Sequence, residues 1–160
     1  MENLLGHLYD YFFKSWYGQE LSSFMWGYNP ATEAYSNPNL YNLVGLITLV
    51  ISLIIVVVFY YIINHPRYCK WWSWLLTLGV NSVIALFIGF GITHFHLLNG
   101  RIPEDLSLYV NENGTTIYLI NYIHCWGFGI ANLFVAAVFF IILSFILKWW
   151  SSSAKHVPFL

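Results

Sequence analysis

Between Ser73 and Thr93 the apolar chain is broken at every fourth position by a small or polar residue: Ser73, Thr77, Asn81, Ala85, Gly89 and Thr93. Four residues slightly exceed one helical turn, so these positions form one slowly winding stripe on a helix. About 20 helical steps cover about 30 Å, the thickness of a hydrocarbon core. Small residues let backbones approach, and hydroxyl and amide groups in a bilayer need partners. The pattern therefore predicts a membrane-spanning helix whose polar edge faces another helix, another subunit or water.

Two further apolar stretches have spanning length. Residues 44–63 carry no charge, are rich in Val and Ile, and place Gly45, Thr48 and Ser52 on one short face. The apolar region 117–147 exceeds one untilted span, so its first residues, including Tyr118, Asn121, Tyr122 and His124, are expected at the interface and 126–147 in the membrane. Near the N-terminus, Leu5, Leu8, Phe12 and Trp16 share one helical face and Asn3, His7, Asp10 and Lys14 the opposite one. That is the pattern of an amphipathic helix lying at the interface or packed on the protein's own spans. Acids and a histidine interrupt this segment, so it does not read as a secretion signal. The predicted fold class is an all-α integral membrane protein with three transmembrane helices (44–63, 73–93 and 126–147) and an N-terminal amphipathic interfacial helix.

The connections read as turns. Gly27, Asn29-Pro30 and Asn37-Pro38 punctuate residues 18–38, where a loop is expected with a short helix near 31–34. Pro66 and Arg67 mark a tight turn between the first two spans. Residues 99–116 read as a polar loop broken by Gly100, Pro103 and Gly114 and carrying the glycosylation sequon Asn113-Gly114-Thr115. The chain thus divides into an extracytoplasmic helix and loop (1–38), a three-helix transmembrane domain (39–150) and a cytoplasmic tail (151–160).

Composition strengthens this picture. Of 160 residues, 59% are apolar and only 8% charged, against roughly 25% charged in soluble domains. The charges are sorted: all the acids precede residue 38 or lie in the 99–116 loop, whereas Arg67, Lys70, Lys148 and Lys155 lie in the other loop and the tail. Basic residues mark the cytoplasmic side, so the N-terminus is expected outside and the C-terminus inside, in the plasma (inner) membrane. Trp71, Trp72 and Trp74, with Trp149 and Trp150, set an aromatic belt on that same side. A net charge of −1 offers no basic patch for nucleic acid. Cys69 and Cys125 fall on opposite sides and have no CxxC neighbour, which argues against an intrachain disulfide.

Candidate chemistry is sparse. No nucleophile elbow, HExxH or phosphate-binding loop is present, and no acid or base falls inside a predicted span, so the chain is not expected to be an enzyme, an ion-coupled transporter or a pump. The first candidate site is the polar seam: Ser73, Thr77, Asn81, Ser82, Ala85, Gly89 and Thr93 on the second span with Gly129 and Asn132 on the third. Cys125, Gly129, Asn132 and Ala136 follow the spacing of a packed helix face. Asn81 and Asn132 should differ in depth by about 9 Å, which calls for separate partners. Gly89-Phe90-Gly91 and Gly127-Phe128-Gly129 should meet at one level.

The second candidate is a group of boundary histidines, His94, His96 and His124, which with Glu104 and Asp105 reads as a pH-sensitive latch or as wet interface residues. No cofactor and no metal are expected; haem or metal held by His96 and His124 is a minor alternative, because no further ligand stands beside them. Burying several polar stripes with only three helices favours self-association. The leading expectation is a small homo-oligomeric membrane protein, in one version enclosing a weakly selective pore, with membrane lipid as its surroundings. The alternative is an accessory or anchor subunit of a larger membrane complex, with other membrane subunits as partners.

Overall fold

The computed structural model describes residues 4–63 and 70–150. The expected turn at Pro66 and Arg67, Cys69, and the tail 151–160 lie outside the described residues. Helix α1 (Leu4–Tyr17) is followed by a short α2 (Gln19–Met25) and a small antiparallel hairpin of β1 (Tyr28–Asn29) and β2 (Ala34–Tyr35), closed by a 3-10 turn at Pro30–Thr32. Helix α3 (Leu40–Val57) ends in a π-helical turn, Val58–Ile63. Helix α4 is Trp71–Leu98; α5 (Glu104–Ser107) leads into a second hairpin, β3 (Leu108–Val110) with β4 (Thr116–Tyr118); and α6 is Tyr122–Leu147.

Among the described residues three helices are long and apolar enough to cross a membrane: Leu40–Ile62, Trp71–Leu98 and Tyr122–Leu147. The chain is thus an all-α integral membrane protein with an additional N-terminal helix. The spans are longer than the sequence suggested, because α4 gains a tryptophan-bearing start and a histidine-bearing end outside 73–93. At the start of α6, Asn121 Oδ1 accepts from the Ile123 N–H at 2.9 Å while His124 Nδ1 accepts from the Asn121 N–H at 3.2 Å. This reciprocal cap satisfies N–H groups that a helix end leaves orphaned and fixes the first residue of the span. Asn39 caps α3 in the same sense, accepting from the Asn42 N–H at 3.2 Å.

The loops hold more structure than their composition implied. Residues 18–38 contain α2 and a hairpin, and the short helix expected near 31–34 is a 3-10 turn at Pro30–Thr32 inside that hairpin. Helix α2 turns Leu21, Phe24 and Met25 into the core, and seven residues are too few to register as a helical period in the sequence. Gly27 closes this segment at φ 86°, and a Cβ there would lie 2.2 Å from the Asn37 carbonyl oxygen, so only glycine fits. In the 99–116 region the β3–β4 hairpin carries the sequon in its exposed turn, where the Gly114 N–H donates to the Asn111 carbonyl at 2.8 Å.

Helix α6 is the centre of the bundle. It packs most extensively on α4, and also on α3 and α1. One core, including Tyr9, Tyr17, Leu21, Tyr41 and Phe128, joins α1, α2, α3 and α6 at the end of the bundle that carries both hairpins, called here the head. A second, with Val56, Phe59, Trp74 and Phe140, closes the opposite end.

Of the two arrangements open to the N-terminal helix, it adopts packing on the spans. Its buried face is Gly6, Tyr9 and Tyr17, with Phe13 half-buried, while Phe12 and Trp16 of the expected apolar face look outward. Two glycines permit this: Leu5 lies on Gly45 of α3, and the Trp16 carbonyl lies so close to Gly127 of α6 that a Cβ would stand 2.1 Å from it.

Candidate functional site: the polar seam of the bundle

The stripe on α4 turns inward onto α6. Asn81, Ser82, Ala85, Gly89 and Thr93 are buried, and Ser73 and Thr77 at the other end of the helix are half-buried. On α6, Gly129 and Asn132 are buried in the facing surface. The glycines set the separation: a Cβ on Gly89 would lie 2.9 Å from the Asn132 Cβ, and one on Gly129 would lie 2.9 Å from the Leu86 carbonyl oxygen. The expected pairing of the two Gly-Phe-Gly segments is therefore half realised. Gly89 meets Gly129, whereas Gly91 faces open space and Gly127 serves α1.

Close approach brings backbone carbonyls within reach of the amides. Asn132 Nδ2 donates to the Ala85 carbonyl at 2.7 Å, and Asn81 Nδ2 donates to the Ala136 carbonyl at 3.0 Å. The asparagines have separate partners, as their offset of about one helical turn requires. Asn132 Oδ1 accepts two further bonds, from the Tyr9 hydroxyl at 2.5 Å and the Thr48 hydroxyl at 3.0 Å. One amide thereby ties α1, α3 and α4 to α6. Toward the opposite end, Trp74 Nε1 donates to Ser144 Oγ at 3.3 Å. Thr77 and Thr93 turn their hydroxyls back onto their own helix, to the carbonyls of Ser73 and Gly89.

Sequence patterning did not single out Tyr9. The signal was the spacing of Gly6, Tyr9, Phe13 and Tyr17, a second face on α1 overshadowed by the leucine-phenylalanine face. The Tyr41 hydroxyl donates to that of Tyr17 at 2.9 Å. Burial pushes the Tyr9 and Tyr17 hydroxyls well above the usual phenol range, so both stay protonated, Tyr9 donating to Asn132 and Tyr17 accepting from Tyr41.

Three buried oxygens in the bundle, Ser52 Oγ, Ser82 Oγ and Asn81 Oδ1, have no hydrogen-bond partner among the described residues.

The boundary histidines have three different surroundings. His94 stacks on Phe90 with ring centroids 5.0 Å apart, His96 lies edge-on to Phe24, and His124 is committed to the α6 cap and lies against Gly18. Glu104 and Asp105 are exposed on α5, and among the described residues the one ion pair is Lys14 with Asp10. Among the described residues no three His, Cys, Asp or Glu side chains converge as a metal site would need. The arrangement does one thing well: it locks four helices together through directional bonds in an apolar setting.

Compared with family models, with curated proteins and with solved structures, the chain gives no match.

Proposed function

We propose that this small membrane protein is a non-enzymatic accessory or anchor unit, a self-contained helical body that serves other membrane components instead of conducting ions itself. The observation that supports the reading is the destination of the polar seam. The residues suited to line a pore are spent within one chain, with Asn132 making bonds to α1, α3 and α4 at once. A seam whose two asparagine amides donate to carbonyls of the same bundle has little drive toward self-association, because its strongest donors already have domestic partners. The head, with its two hairpins, is assigned to the outside of the plasma (inner) membrane by the charge sorting of the sequence.

A homo-oligomeric pore is the second reading. It is favoured by Ser52 Oγ, Ser82 Oγ and Asn81 Oδ1, buried acceptors that a file of water would satisfy. The two readings separate cleanly. Purified in mild detergent, the full chain should be monomeric when alone and should give no current in planar bilayers. A homo-oligomer with a robust current that Asn81→Leu reduces would overturn the accessory reading in favour of the pore.

A further inference from the structure

Around α1 three clefts adjoin, and their character changes from polar to apolar along the way. The first, about 540 Å³, lies between α1 and the first hairpin and is walled by His7, Asp10, Trp26, Tyr35, Asn37 and Asn39. The second, about 490 Å³, shares His7 and Asp10 with it and continues over Leu4, Leu8 and Phe12. The third, about 270 Å³, shares Leu8 and Phe12 with the second and ends on Phe134 and Val138 of α6, with no polar side chain of the described residues among its walls. The path thus starts on charged and amide groups of the head and ends on a lipid-facing surface of a spanning helix, where Phe134 and Val138 are both exposed.

We propose that this path is a binding site for one zwitterionic glycerophospholipid, its ammonium group in the first cleft and an acyl chain along Leu8, Phe12, Phe134 and Val138. Charge selects the headgroup. Among the described residues Asp10 is the only acid or strong base lining the first cleft, and it is anchored there because its Oδ1 accepts from the Ser22 hydroxyl at 2.5 Å. Lys14 approaches the other oxygen only to 3.8 Å, beyond hydrogen-bond length. Trp26 and Tyr35 add aromatic faces, which attract a quaternary or primary ammonium as they would any organic cation. The Oδ1 of Asn39 is taken by the Asn42 N–H, so its remaining offer is NH₂ donors, suited to a phosphate oxygen next to the ammonium. Phosphatidylglycerol presents the same phosphate and chains but no cation, and would set a net negative headgroup against the Asp10 carboxylate. The site does not depend on whether the chain serves as an accessory unit or a pore.

The test compares phosphatidylethanolamine with phosphatidylglycerol of identical chains, presented to the full-length protein in mixed micelles, with retained lipid counted by native mass spectrometry. Wild type should retain the ethanolamine lipid about fivefold over the glycerol lipid, the discrimination expected of one partly exposed cation site. Asp10→Asn and Tyr35→Ala should each bring the ratio toward one. Phe12→Ala should lower retention of both lipids while leaving their ratio unchanged. Tyr35 and Phe12 are largely exposed, so these two variants keep the fold even if the loss of the Asp10–Ser22 bond disturbs it. Equal retention of the two lipids by wild type, or a ratio unmoved in Tyr35→Ala, would overturn the proposal.

Discussion

Asn81 and Asn132 bind past one another: each donates its side-chain N–H to the carbonyl four positions beyond the other, Ala136 for Asn81 and Ala85 for Asn132. Advancing four residues on α4 while retreating four on α6 is the register of antiparallel helices, so the two bonds act at successive turns of one contact. A bond to a backbone carbonyl needs the helices close, and Gly89 and Gly129 supply that closeness. The amides and the glycines are therefore one device.

The bond set at Asn132 should be the costliest polar site to disturb. Asn132→Leu removes the acceptor of two buried hydroxyls and a donor to Ala85, and should destabilise the protein by about 2–4 kcal/mol, read by reversible unfolding in mixed micelles. Tyr9→Phe should cost about 1 kcal/mol, and the pair should be non-additive by a similar amount. Tyr17→Phe, whose hydroxyl partner is Tyr41, should add independently of Asn132→Leu. Additive behaviour of Tyr9 and Asn132 would show that the bond between them carries no energy.

Gly91 and Gly127, the members of the two Gly-Phe-Gly segments that do not meet each other, should respond in opposite ways. Gly127→Ala drives a methyl group into the Trp16 carbonyl and should cost about 2 kcal/mol, with faster tryptic cleavage at Lys14 as α1 lifts from α6. Gly91 has open space around it, so Gly91→Ala should be neutral or stabilising by about 0.5–1 kcal/mol through helix propensity alone. Equal effects at the two positions would contradict the docking of α1.

Alkaline pH should unfasten the head. Burial holds the Tyr9 and Tyr17 phenols well above their usual range in the folded state. Below about pH 10 both states keep the phenol protonated and stability is flat; above it the unfolded chain loses protons that the folded one retains, so stability falls as pH rises. Each such group contributes a slope of about 1.4 kcal/mol per pH unit in that window. Denaturation midpoints measured from pH 8 to 11.5 should bend downward above about 10, and Tyr9→Phe or Tyr17→Phe should flatten the bend.

Sidedness can be read by labelling. In a chain lacking Cys69 and Cys125, a cysteine at Glu104 should react with an impermeant thiol reagent added outside intact cells, and one at Lys70 only after the cytoplasmic face is opened. Reaction of both from one side would contradict a three-span topology.

Much of the architecture was legible because a bilayer imposes strong rules on a sequence. Length and apolarity alone marked three spans, and the four-residue recurrence from Ser73 to Thr93 located the surface on α4 that avoids lipid. Less was legible in the head. Helix α2 and both hairpins have too few residues to express a period, and their order comes from contacts made elsewhere, such as Leu21 and Ile120 in a shared core. The histidines illustrate the same limit: a shared depth at the outer boundary suggested a group, whereas what each ring meets, Phe90, Phe24 or the α6 cap, is set by tertiary contacts.

The sequence by itself determined that this chain enters a membrane, which segments cross it, and that Asn81 and Asn132 need polar partners there. Only the tertiary structure decided who those partners are. A helix pattern reports which residues share a face, and says nothing of which of several faces will meet. That choice fell to the glycines: by letting α4 and α1 approach α6 closely, Gly89, Gly127 and Gly129 put the Ala85 carbonyl and the Tyr9 hydroxyl within bonding distance of Asn132, and so turned the seam inward.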